Sequence, residues 1–100
     1  SKLTRQWERE RRVLINFPDN PQWEEPLALA MDFKWKEAIA GWIPMTESRN
    51  ARIAAYASYN IAVGCEMMAQ FALAREWADF SVKKYNFNNN YRLRESLKKK

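Results

Sequence analysis

Apolar residues recur at steps of three and four along most of this chain, the spacing that collects side chains on one face of an α-helix. The pattern is densest over residues 54–85. In its first half Ile53, Tyr56, Ala57, Asn60, Ile61, Gly64 and Met68 share a face; in its second half Phe71, Ala74, Ala78, Ser81, Val82 and Tyr85 do so. The phase breaks near Ala69 and Gln70, which predicts two antiparallel helices joined by a tight turn. Ala54, Ala55, Ala57, Ser58, Ala62, Gly64, Ala72, Ala74 and Ala78 are small, so the two axes can approach closely.

The rest of the chain predicts a helical protein built around this hairpin. Residues 1–12 are polar and mostly charged, and form either a short helix or an irregular arm. Val13, Leu14, Ile15 and Phe17 are β-branched, aliphatic or aromatic, and with the polar Asn16 between them the stretch alternates weakly, with Val13, Ile15 and Phe17 on one side. No second strand candidate exists to pair with them, so they predict an extended segment lying against the helices. Pro18, Asp19, Asn20 and Pro21 make a turn into a helix, capped by Asp19 or Asn20, with Pro21 in the first turn. That helix carries Trp23, Leu27, Ala30 and Met31 on one face, and Pro26 can move its start toward Trp23. A second helix over residues 33–43 carries Trp35, Ala38, Ile39 and Trp42. Residues 46–50 are a polar loop in which Ser48 or Asn50 caps the central hairpin. Residues 86–90 include four Asn, which favour turns and caps. A last, basic helix is expected over residues 91–100.

Charge modifies this picture at the ends. The net charge is +5. Residues 1–12 hold five basic and two acidic groups, and residues 81–100 hold seven basic and one acidic; the body between them is net acidic. The longest uncharged run, residues 53–65, is shorter than the about twenty residues a spanning helix needs, so no transmembrane segment is expected. The chain begins with Ser, not Met, which points to a processed chain or a piece of a longer one. Cys65 is the only cysteine; on an apolar helix it reads as a buried thiol.

Two helix–turn–helix units stand in line. Trp35 superposes on Phe71 and Ala38 on Ala74, each placing an aromatic one turn before a close-packed Ala. At this point the chain resembles the tetratricopeptide repeat, whose unit is about 34 residues. The second unit carries the likeness in Tyr59, Ala62, Ala69, Phe71, Ala74, Ala78 and Ser81; the first carries it in Trp35, Ala38 and Trp42. Ala69 stands where the family has its turn Gly, Ser81 where it has its closing Ala, and the late Pro is missing. The chain is also similar to the C-terminal part of a family of exported Bacteroidetes lipoproteins of unknown function, through Trp7, residues 12–14, 35–42 and 53–62, and residues 76–78. That likeness implies a cell-envelope location, with the cytoplasm as the alternative.

Catalytic and cofactor chemistry is thinly represented. There is no His, which removes the commonest general base and metal ligand. Gly41 and Gly64 are isolated, so no phosphate-cradling loop is formed. Glu24 and Glu25 are neighbours on a helix and diverge by about 100°. No enzyme activity, cofactor or metal is expected. Asn60 stands out because it interrupts an apolar face. It is either a buried amide that satisfies a helix end or loop carbonyl, or a donor in a groove that takes a peptide. Tyr56, Tyr59, Val63 and Met67 flank it and complete the candidate groove, although such a stripe is also ordinary core.

The expected fold is all-α: stacked antiparallel helical hairpins over residues 21–86, preceded by an arm and extended segment over 1–20 and followed by a basic capping helix over 87–100. The expected role is a non-enzymatic module of a larger cell-envelope protein that binds a protein or peptide, self-associates, or serves as structure. The alternative is an electrostatic binder of nucleic acid or another polyanion through Lys83, Lys84, Arg92, Arg94, Lys98, Lys99 and Lys100.

Overall fold

Asn20 starts the first helix, α1 (Pro21–Met31). Its Oδ1 accepts the Gln22 N–H at 3.0 Å, and Pro21 falls in the first turn, where no donor is required. Asp19, the other cap expected from the sequence, and the arm over residues 1–12 lie outside the described residues: the computed structural model describes residues 13–17 and 20–100. Five α-helices and one 3₁₀ turn make up 76% of the described residues, and no strand forms among them. Pro26 stays inside α1. Its ring meets α2 (Trp35–Trp42) at Gly41, where an added Cβ would lie 2.6 Å from Pro26 Cγ. The missing side chain of Gly41 is what lets the two helices close at this crossing.

The turn after α1 and the turn after α3 (Ala51–Met67) have the same backbone. Phe33 and Ala69 both sit at φ 61°. Lys34 N–H donates to Leu29 O at 2.9 Å and Phe33 N–H to Ala30 O at 2.9 Å; Gln70 N–H donates to Cys65 O at 2.8 Å and Ala69 N–H to Glu66 O at 2.9 Å. This pair of bonds closes a helix C-terminus through one left-handed residue. After each of these short links the chain packs back on itself, α1 against α2 and α3 against α4 (Phe71–Lys84). Phe33 is spent on the turn, and α2 accordingly begins at Trp35, two residues later than the periodicity predicts.

Between α2 and α3, a 3₁₀ turn (Ile43–Glu47) takes in the expected end of the second helix at Ile43 and the start of the expected polar loop at Thr46 and Glu47. Thr46 Oγ1 donates to Ile43 O at 2.7 Å, and Met45 and Thr46 are buried. Asn50 then caps α3, its Oδ1 accepting Arg52 N–H at 3.0 Å. Every residue of α3 from Ala57 to Met67 is buried. α4 covers one side of it, while α2 and the 3₁₀ turn cover another. Ala38 and Ala74 are both wholly inaccessible.

The last helix, α5 (Asn88–Leu97), begins three residues before its expected start at Tyr91. Asn90 Oδ1 accepts Phe87 N–H at 2.9 Å and fixes the first turn. The same amide donates to Ser81 Oγ and to Tyr85 O, both at 2.9 Å, and Ser81 Oγ donates to Ala55 O at 2.6 Å. This buried chain of bonds ties α5 to α4 and α4 to α3, and Leu93 and Leu97 add apolar contact.

Candidate functional site

Residues 13–17 form neither helix nor strand and lie against α1 and α3. A lone extended segment has no ladder to satisfy its main chain, and unpaired buried backbone groups are costly. Here helix side chains take the place of a ladder. Ile15 N–H donates to Asn60 Oδ1 at 2.9 Å, and Asn60 Nδ2 donates back to Ile15 O at 2.9 Å. A carboxamide carries the same donor and acceptor as a peptide group, so Asn60 pairs with Ile15 as a neighbouring strand would. The second lone pair of Ile15 O accepts Trp23 Nε1–H at 2.7 Å. Tyr59 Oη–H donates to Val13 O at 2.7 Å.

Aromatic rings fix the far end of the segment. The Phe17 ring lies 5.9 Å from that of Trp23 and 6.0 Å from that of Tyr56. Tyr56 in turn meets Phe87 edge-on at 4.9 Å, and Tyr59 meets Phe87 at 5.6 Å. Leu14, Ile15 and Phe17 pack against the core, whereas Val13 is 62% exposed and Asn16 faces solvent.

The five residues singled out by the sequence fall into two groups. Tyr56, Tyr59 and Asn60 meet the extended segment. Tyr56 is half-buried; Tyr59 and Asn60 are buried. Val63 and Met67 are wholly inaccessible members of the main core. The surface they were expected to line is therefore not open to solvent: the chain's own segment covers its upper part, and packed helices cover the rest. Trp23 belongs to the site as well; the sequence places it on the apolar face of a groove-forming helix but does not single it out as a binding residue. Its ring lies on the helix face that the periodicity identified, but the direction of its N–H depends on the segment's path. Glu66, a buried carboxylate at the end of α3, carries no signal in the sequence beyond closing an uncharged run.

The sequence comparison adds one finding. A family model described as "Domain of unknown function (DUF6340)" matches residues 26–99. The chain belongs to this family. No curated protein and no solved structure matches it. The span matched to DUF6340 holds Tyr56, Tyr59 and Asn60, one wall of the site. Residues 13–17 and Trp23 precede it.

Elsewhere, no helix among the described residues is long and apolar enough to cross a membrane. Burial pushes the Cys65 thiol up to about 11, far from the range of a reactive thiolate. Lys83, Lys84, Arg92, Lys98, Lys99 and Lys100 are exposed, while Arg94 is drawn to Glu95 at 3.5 Å and Asp79 at 4.0 Å.

Proposed function

We propose that this chain is a non-enzymatic helical-hairpin module, similar in its stacking to tetratricopeptide repeats, that holds an extended polypeptide segment on the face formed by α1 and α3. The observation that carries the reading is the two-way pairing of the Asn60 amide with the main chain of Ile15. Pairing of this kind recognises backbone and not sequence, which is how a module holds a strand-like segment outside a sheet. Two further features support it. The turns at Phe33 and Ala69 repeat with one backbone geometry, and Trp23 and Tyr59, separated by the same interval, both donate to the segment. α5 then serves as the cap of the stack. We place the module in a larger cell-envelope protein, where it acts as an interaction or structural unit.

The exposed lysines and Arg92 favour a competing reading, attraction of a polyanion. One experiment separates the two. Asn60→Ala and a Lys83/Lys84 charge-removal variant are compared at two salt concentrations for stability and for capture of a protein or peptide partner. The module reading expects the Asn60 variant to lose stability and capture at either salt, with the lysine variant unchanged. Binding that collapses with salt, follows the lysines and ignores Asn60 overturns it in favour of the polyanion.

A further inference from the structure

The extended segment is held as a separate peptide would be held. Val13 and Ile15 make their polar contacts with the side chains of Asn60, Tyr59 and Trp23, Phe17 O accepts the Asn20 N–H of the following turn at 3.1 Å, and the aromatic residue sits between two rings. The segment also lies outside the span matched to the family, whereas Tyr59 and Asn60 lie inside it. Only residues 18–20 join it to α1. We infer that residues 13–17 are a displaceable internal ligand, and that the surface they cover recognises other peptides of the same pattern: two consecutive aliphatic residues, any residue, then an aromatic. This rests on the segment-holding role proposed above.

The contacts define what such a peptide must carry. The residue at the Ile15 position must present an N–H to Asn60 Oδ1, which excludes proline, and a carbonyl shared by Asn60 Nδ2 and Trp23 Nε1. Two residues earlier, the main chain needs only a carbonyl for Tyr59, and the side chain there is free, as the exposed Val13 shows. Two residues later, an aromatic ring must enter between Trp23 and Tyr56. Ile15 and Phe17 both pack against the core, so both anchors reach the same surface. Leu14 adds a third apolar contact, and the solvent-facing Asn16 leaves its position unspecified.

A short tether keeps the internal segment at an effective concentration of roughly millimolar. A peptide supplied from outside therefore competes poorly until the tethered copy is weakened, because apparent affinity scales with the open fraction. The test uses the full chain, ¹⁵N-labelled, as wild type, Phe17→Ala and Ile15→Pro. The probe is a synthetic peptide with the sequence of residues 11–20. The Trp23 indole N–H resonance reports occupancy and circular dichroism reports helix content.

Both variants are expected to keep their helices and to shift the Trp23 resonance. Peptide should return that resonance toward its wild-type position, saturably and with about tenfold or greater affinity than for wild type. The Ile15→Pro form of the peptide should fail, and adding Asn60→Ala to the Phe17→Ala chain should abolish the return. If Ile15→Pro alone unfolds, Phe17→Ala carries the test. The inference is overturned if both variants lose their helices, if folded variants ignore the peptide, or if the proline peptide binds equally well. A wild-type Ile15 amide protected from exchange alongside any of these failures leaves the holding role intact as fixed structure; an unprotected one removes the role itself.

Discussion

Asn60 shows how much a single residue can reveal and conceal. A polar residue on an apolar helical face must be satisfied when buried, so its importance was legible. Its partner was not, because Ile15 lies 45 positions away and no local pattern encodes that distance. Loss of the amide leaves both backbone groups of Ile15 short of a partner, although Trp23 still serves the carbonyl. Asn60→Ala should therefore cost about 1–3 kcal/mol in a urea titration. The turn residues make an opposite prediction. Ala69 occupies a left-handed conformation that strains any Cβ, whereas Gly adopts it freely. Ala69→Gly should raise the stability by about 0.5–1 kcal/mol; an unchanged or lowered midpoint would contradict the turn geometry. Cys65 predicts a pH effect. Its thiol titrates near 11 in the fold against 9.0 when free. The neutral form is the one the core accepts, so stability is intact below pH 9 and is lost as the pH rises through 11. Cys65→Ala should flatten this window, a difference of about 2–3 kcal/mol at its upper end.

At the scale of elements, the strongest periodicity was also the most misleading. A helix read as having one apolar face predicts an opposite face in water. α3 is instead buried all round from Ala57 to Met67, as expected of a helix enclosed by neighbours. Its small and polar residues (Ser58, Gly64 and Cys65 among them) then face other helices, not solvent. Val63 and Met67 entered the candidate groove for the same reason. By contrast, the burial of Ala38 and Ala74 was legible, because each stands on the apolar face of its helix. Ala74 has no accessible surface, so Ala74→Leu should overpack the α3–α4 hairpin by about 1–3 kcal/mol. The start of α5 was misplaced because Asn runs were read as a break. Asn90 folds its side chain back onto Phe87 N–H and makes the run part of the helix. Its bond to Ser81 is buried and that to Tyr85 partly so, so Asn90→Ala should lower the urea midpoint by more than substitution of the exposed Asn88 does.

At the scale of the whole molecule, the described residues form an all-helical body with one extended segment laid across it. That residues 13–17 lie against the helices without forming a strand was legible from the lack of a strand partner, yet the sequence did not say what would satisfy their main chain. The answer unites the two readings of Asn60: the amide is buried, and what buries it is an extended peptide segment. The account therefore turns on whether that segment is held by Asn60 in solution. The direct measurement is hydrogen exchange at the Ile15 amide, in wild type and in Asn60→Ala, under conditions where both remain helical. We expect strong protection in wild type and its loss in the variant, with amides in the middle of α3 and α4 still protected. An Ile15 amide that exchanges freely in wild type, or that stays equally protected without Asn60, would contradict the account.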